Sequence, residues 1–277
     1  MTHTPKLAEL WKVGMVGVPK ELQDAGPVVI ADGTAHLLED LHAPITPDKA
    51  RVHGVKPQHM DRLATVVRTK ALALYGIQVE DLSPLQRMHD LEWLNLTWNT
   101  KVTSLEPLAQ MRGLTRLSIS DTPKVVDIEP IAALTNLVAL NYSGGIWNKQ
   151  TAQTLEPIAR LPKLEELVLT NLRVLDGGLR PLARCPRLRA FDVSNQFDTA
   201  DYAYLSVALP NTTCKHFAPY VTFTANGLLG DIMVVGRRKP FLDSKKDGAR
   251  MARYAADFAR LQAGFRAELG GAGRIDG

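Results

Sequence analysis

The chain has 277 residues, 45% of them hydrophobic and 22% charged, which is the composition of a globular protein of one or two domains and excludes a disordered chain. Aromatics reach only 6%, so an aliphatic core is expected, and no apolar run approaches the roughly 18 residues of a membrane span. The net charge of +4 belongs to the tail: from Arg237 onward ten Lys/Arg face five Asp/Glu, while the residues before it carry 23 bases against 24 acids. Nucleic-acid binders usually spread basic charge over the folded surface, so this distribution argues against that class.

Residues 1–68 open without an apolar stretch that would read as a signal peptide. Pro27–Ala31 reads as a strand, and Ala35–Leu41 as a short helix or second strand. Pro57–Val67 places Met60, Leu63, Ala64 and Val67 on one helical face. The region is expected to form an N-terminal cap, either a simple lid or a small α+β subdomain. His53 and His59, near Asp61, fit no metal-ligand spacing and read as surface or structural histidines.

From residue 69 the chain repeats. Leu91, Leu114, Leu137, Leu164 and Leu188 are separated by 23, 23, 27 and 24 residues. The same irregular steps recur in the column Leu94, Leu117, Leu140, Leu167, Phe191 and in the column Leu96, Ile119, Tyr142, Leu169, Val193. An earlier unit fits as Leu72, Leu74, Leu82, Pro84 and Leu85. Columns stretched together at the same place mark a true repeat. Leu94-x-Leu96 alternates with period two, as a half-buried strand does. Pro107, Pro130, Pro157 and Pro181 suit the first turn of a helix. Asp81, Ser104, Asp127 and Thr154 precede the helical turns as N-cap types. Each unit is thus a strand, a turn and a short helix, and only stacking can bury its apolar side.

The L-x-x-L-x-L openings and segments such as Leu105-Glu106-Pro107-Leu108-Ala109 resemble the short bacterial leucine-rich repeats of internalins, over about residues 69–217. The resemblance implies an α/β leucine-rich repeat solenoid of about six units. A curved parallel sheet would line its concave face and short helices its convex face, with caps at residues 1–68 and 218–277. The family's Asn at the ninth place of the unit survives only as Asn99; Thr122, Gly145, Leu172 and Gln196 stand at the other equivalents.

Side chains pointing out of the strands are the candidate partner-binding residues. They are Trp93, Arg116 and Glu166 in one column, and Asn95, Ser118, Asn141 and Asp192 in the next. Trp98, Asp121, Asn171 and Asn195 form a further column just past the strands. Trp and Arg are the types that dominate interface hot spots, although Trp93 could equally pack under the N-terminal cap. Between them, Thr97, Ser120, Ser143, Thr170 and Ser194 form a hydroxyl column expected to bond the departing backbone. The third unit carries four extra residues around Gly144, Gly145 and Trp147, a loop expected to protrude, with Trp147 either exposed for binding or folded back. Cys185 occupies the column of Met88, Met111, Leu134 and Leu161, and Cys214 stands three residues before Phe217, so both read as core thiols of a reducing cytoplasm.

Beyond the repeats, Tyr220–Ala225 and Leu228–Val235 flank an Asn226-Gly227 hairpin signal. Ser244-Lys245-Lys246-Asp247 has the form of a capping box. Met251, Tyr254, Phe258, Leu261 and Phe265 make an amphipathic stripe. The sequence contains no Walker A loop, H-E-x-x-H, G-x-S-x-G or dinucleotide fingerprint. The reading reached is a cytoplasmic, non-enzymatic module without cofactor or metal that docks a protein partner on its concave face, in the manner of a toxin-neutralising or regulatory adaptor. Two alternatives stay open: an enzyme whose site lies in the flanks, and a basic-tail binder of nucleic acid or membrane surface.

Overall fold

Four or five residues with leucine at alternate places form a strand whose apolar side needs a neighbour, and the chain supplies one about every 23 residues. The computed structural model describes residues 28–30, 38–39, 41–223 and 230–272. Strands β1 (Val28–Ile30), β2 (Lys49–His53), β3 (Ala71–Tyr75), β4 (Trp93–Thr97), β5 (Arg116–Ser120) and β6 (Ala139–Ser143) lie side by side. After a short strand β7 (Gln150–Ala152), the same sheet continues with β8 (Glu166–Leu169). A second short strand, β9 (Leu172–Val174), precedes its last member, β10 (Ala190–Val193). All pairings in this eight-stranded sheet are parallel, and Leu72, Leu94, Leu117, Leu140, Leu167 and Phe191 stand in register across it. Those side chains and the column Leu74, Leu96, Ile119, Tyr142, Leu169 and Val193 are buried in one continuous core.

Short 3-10 turns at Ser83–Arg87, Glu106–Gln110, Glu129–Ala133 and Arg180–Arg184, and one α-turn, α2 (Glu156–Ala159), return the chain on the opposite side. (The first helix, α1, spans Pro57–Val66.) Each has proline in its first turn, as expected. The expected N-cap residues stand one place early, since Leu82, Leu105, Ile128 and Leu155 hold the N-cap positions without side-chain caps. Asp81, Ser104, Asp127 and Thr154 accept the N–H two residues on, at 2.8, 3.1, 2.8 and 3.3 Å. Leu85, Leu108, Ile131, Ile158 and Leu182 point inward from these turns and are fully buried.

The sheet extends N-terminally past residue 69. Strand β2 pairs with β3 as Ala50↔Leu72 and Val52↔Leu74, so residues 49–67 form a coil of the same stack, with α1 as its helix. Helix α1 buries Met60, Leu63, Ala64 and Val66, and Val67 is buried just beyond it. Arg62 anchors the upstream chain by bonding the carbonyls of Leu38 and Leu41.

The loss of asparagine from the ninth place has a structural answer. Asn99, fully buried, accepts the Ile77 N–H at 2.9 Å and donates to Leu74 O at 3.2 Å. Two coils later the matching service comes from Gln150, in the four-residue insertion. Its Oε1 accepts the Thr122 N–H at 3.0 Å, and its Nε2 lies 2.8–2.9 Å from Thr122 O, Val125 O and Tyr142 Oη. Gln196 Nε2 donates to Leu172 O at 2.5 Å. Strand β7, which carries Gln150, pairs in parallel with β9 as a separate two-stranded sheet. The insertion is therefore a loop with its C-terminal stem drawn into the core.

At the far end, α3 (Thr199–Ala208) replaces the short turn and buries Tyr202. An antiparallel sheet follows, of β11 (Tyr220–Thr222), β12 (Ile232–Val234) and β13 (Phe241–Leu242). The Asn226-Gly227 signal lies outside the described residues. The final helix, α4 (Gly248–Ala272), begins later than a cap at Ser244 would place it. Ser244 instead donates to Asp231 Oδ2 at 2.6 Å, while Asp247, just ahead of the helix, takes the Asp243 N–H at 2.9 Å. Two charge-linked bonds thus displace the expected capping box. The α4 stripe is spent on packing. Phe258 is buried, Leu261 and Phe265 lie against the main core, and Met251 and Tyr254 cover Ile232, Val234 and Leu242. Arg180 clamps the joint, 4.7 Å from the Tyr204 ring centroid, 5.3 Å from that of Phe265 and 3.8 Å from Glu268 Oε1.

Replacing Gln150 by Ala should cost about 2–4 kcal/mol, because it leaves buried backbone groups unpaired and opens a cavity. Urea denaturation of Gln150→Ala beside Asn99→Ala measures it; a loss under about 0.5 kcal/mol would contradict the role assigned to this amide.

Candidate functional site

The sheet face opposite the core is lined by the residues between the leucines. Register sets Trp93 beside Arg116, Arg116 beside Ala139, and Ala139 beside Glu166; it sets Asn95 beside Ser118, Ser118 beside Asn141, and Asn141 beside Val168. Neighbours in such a row are about 4.8 Å apart. The Arg116 guanidinium leans back over the preceding strand, 5.4 Å from the Trp93 ring centroid. Arg116 is 5% exposed, and its Nη1 has no hydrogen-bond partner among the described residues. Trp93 is half-buried beneath this cation.

The polar residues of β4–β6 are already committed to one another. Asn141, 1% exposed, donates to Ser118 Oγ at 3.3 Å and Ser120 Oγ at 2.8 Å, and accepts from Ser143 Oγ. Thr97 Oγ1 donates to Asn95 Oδ1 at 2.6 Å. Farther on, the hydroxyls bond backbone of an adjacent coil: Ser143 Oγ accepts from Thr170 N–H at 3.0 Å and Ser194 Oγ from Asn171 N–H at 3.1 Å. These bonds hold the middle of the face rigid. Asp192 lies on β10 in a 3.4 Å ion pair with Lys215, and Glu166 is half-buried on β8.

The column just past the strands forms a rim with a distinct backbone. Gly54, Gly76, Trp98, Asp121 and Asn171 have φ of 61°, 58°, 56°, 51° and 46°. This is the left-handed conformation, which glycine adopts freely, Asn and Asp tolerate, and a bulky side chain takes at a cost of roughly 1–2 kcal/mol. Trp98 nevertheless holds it, 51% exposed, its ring 5.7 Å from that of Tyr75, which lies 5.3 Å from His53. Asp121 and Asn171 clamp the insertion. Asp121 Oδ1 accepts from Asn148 Nδ2 at 3.1 Å, and Asn171 Nδ2 donates to Gly145 O at 2.8 Å and Asn148 O at 3.1 Å. A Cβ on Gly145 would run into the Asp121 carboxylate. Held this way, the loop presents Ile146 at 67% exposure and Trp147 at 88%. Asn195 joins the C-terminal sheet, donating to Val234 O at 2.9 Å and accepting from Gly236 N–H at 2.7 Å.

The candidates therefore divide. Trp93, Asn95, Arg116, Ser118 and Asn141 share the sheet face. Trp98 and Trp147 share the rim. Asp121, Asn171 and Asn195 build the scaffold, and Glu166 and Asp192 lie on the last strands. Arg51, His53 and Tyr75 extend the face onto β2 and β3, outside the columns read from the sequence. Their signal was the 22-residue step from Ala50-x-Val52 and Gly54 to Leu72-x-Leu74 and Gly76. Arg51 is 5% exposed with Nη1 unpartnered among the described residues, and burial lowers its pKa.

No family model and no curated protein matches the chain. Solved structures resemble it over 65% of its length. A chain of the Drosophila Toll–Spätzle complex is 15% identical with a TM-score of 0.50, over 25% of that chain. Its likeness is one of coil architecture. The fold is a leucine-rich repeat solenoid. Two internalins of Listeria monocytogenes share the solenoid: InlF, 22% identical with a TM-score of 0.45 over 62% of its chain, and InlC2, 21% identical with a TM-score of 0.45 over 73%. The match thus spans less than two thirds of InlF. Among the described residues of the solenoid and its caps, no helix is long and apolar enough to cross a membrane, and no cluster of His, Cys, Asp and Glu could hold a metal ion.

Both cysteines are free thiols. Cys185 is fully buried, and burial pushes its pKa up to about 12; Cys214 is half-buried, with its pKa pushed up to about 11. Neighbouring His216, 1% exposed, stacks 5.4 Å from Tyr202, and burial, then Lys215, pushes its pKa down to about 4 from 6.5. The folded chain holds this imidazole neutral. Its stabilising contribution is complete above pH 6.5 and is lost as pH falls through 4. His216→Phe should therefore show a shallower fall in Tm between pH 7 and pH 4 than the wild type, as scanning calorimetry at stepped pH will read; parallel curves would contradict it.

Proposed function

We propose that the chain is a non-enzymatic protein-binding module that docks one protein partner across the N-terminal half of the sheet face and the adjoining rim. The observation that carries this reading is the trio Trp98, Ile146 and Trp147, large apolar side chains more than half exposed along one edge. Trp98 holds its place against backbone strain where the two preceding coils use glycine. Such strain persists where surrounding structure enforces it, and it concentrates at functional positions. Trp93 and Arg116 supply the anchor types that interfaces favour. A module working by occupancy would serve as a regulatory or toxin-neutralising adaptor, and its free thiols, Cys185 buried and Cys214 half-buried, suit a cytoplasmic setting. The basic-tail alternative has less support, because the apolar stripe of α4 is already covered by α3 and the C-terminal sheet.

The test pairs stability with capture. Trp98→Gly should leave Tm within a few degrees, since glycine relieves the strained φ, and Trp147→Ala should leave it unchanged. Each should weaken partner binding by about 2 kcal/mol or more, the hot-spot threshold, whereas Gln110→Ala on the convex side should not. The measurement is quantitative affinity capture with each variant as bait, followed by calorimetry with the captured protein. Equal binding by all variants would place function in the flanks.

A further inference from the structure

Two arginines on the sheet face are buried without full hydrogen bonding, in a way that stability alone does not explain. Arg51 on β2 and Arg116 on β5 are each 5% exposed, and each has an Nη1 without a hydrogen-bond partner among the described residues. Arg116 rests on the Trp93 ring. Each arginine therefore keeps a buried guanidinium nitrogen that folding leaves without a hydrogen bond among the described residues. On β3, the strand after Arg51, two outward positions are alanine. Register gives Ala73 as the neighbour of Arg51 and Ala71 as the neighbour of Trp93. The two methyl-lined positions on β3 form the floor of a shallow trough, bounded by Lys49 and Arg51 on β2 and by Trp93 and Asn95 on β4, with Arg116 one strand beyond. Arg116 inclines toward that trough, since its guanidinium lies over the ring of the strand before it. The His53 Nε2, also buried and unpartnered among the described residues, lies at the same end.

We propose that this trough is a carboxylate-recognition slot, in which Arg51 and Arg116 receive aspartate or glutamate side chains from an acidic segment of the partner protein. The inference rests on the protein-binding reading above and adds the chemistry of the partner. A guanidinium with unpaired N–H groups binds a carboxylate through charge-assisted, often bidentate, bonds. A nucleic acid fits less well. The chain ahead of the tail carries 23 bases against 24 acids, and the same face ends in Glu166 and Asp192 on β8 and β10, whereas phosphate backbones are tracked by continuous basic stripes. Two guanidiniums and the exposed Lys49 beside an apolar rim match a few carboxylates set beside hydrophobic anchors.

The experiment uses the full chain as the target for selection from a random dodecapeptide display library. Recovered peptides should be enriched in Asp and Glu near an apolar residue. A synthetic representative should bind at least tenfold more weakly to Arg51→Gln and to Arg116→Gln, and should lose affinity when its acids become amides. Peptides that depend on Trp98 and Trp147 but show no acidic preference would overturn the slot and leave the binding reading standing. Peptides that ignore every residue of the sheet face and rim, or the absence of any selected motif, would overturn both. Binding of a 20-nucleotide single-stranded DNA through the same two arginines, or self-association abolished by Arg116→Gln, would overturn the slot in favour of those occupants. Stability supplies an independent reading. Arg51→Met and Arg116→Met should keep or raise Tm, because each removes a buried nitrogen left without a hydrogen bond among the described residues. A fall of more than about 5 °C in either would make the arginines structural and overturn the proposal.

Discussion

A short parallel strand with leucine on one side has nowhere to bury that side except under its own return turn and against the next coil. The rest of the molecule is shaped by that dependence. Because each coil is completed by its neighbours, the leucine columns must stay in register, and they do from Leu72 to Phe191. Larger elements stand toward the outside of the stack: α1, on the coil next to β1, is ten residues where the inner turns have four or five, and α3 with α4 close the C-terminal side. A face held by so many equivalent backbone bonds is rigid, which lowers the entropic cost of presenting a fixed pattern of side chains to a partner.

The same dependence explains how a buried amide can move along the chain without being lost. Backbone groups at the turn between strand and helix are dry, so some side chain must reach them. Asn99 does so from the expected place, and Gln150 does so from an insertion. The requirement is for an amide at a point in space, and its address in the sequence is secondary.

That distinction separates the features legible in the sequence from those that were not. The inner strands, the proline-led turns and the burial of Cys185 could be read because leucine, proline and a shared column announce them. The coil at 49–67 could not, since Ala50 and Val52 bury less surface than leucine and break the L-x-L signature while keeping its register. With that coil went Arg51 and His53, and with them Tyr75 on the strand beside it. The scaffold roles of Asp121, Asn171 and Asn195 were hidden for another reason. Their partners, Asn148, Gly145 and Val234, lie up to 39 residues away and touch them only through the insertion or the C-terminal sheet. The left-handed rim was equally opaque at Trp98, because only Gly54 and Gly76 betray that conformation by their residue type.

The insertion between β6 and β7 joins a tip that touches solvent to a stem that completes the core. Its clamps act on Gly145 and Asn148 and its plug is Gln150, while Ile146 and Trp147 take part in neither. The loop is thus a socket with an interchangeable head. Foreign residues, a fluorophore-bearing cysteine or a longer recognition peptide could be spliced between residues 146 and 147 with the coil behind them undisturbed. A cut that removed the whole insertion would strip the neighbouring coil of its internal amide. Length at this point can be gained far more readily than it can be given up.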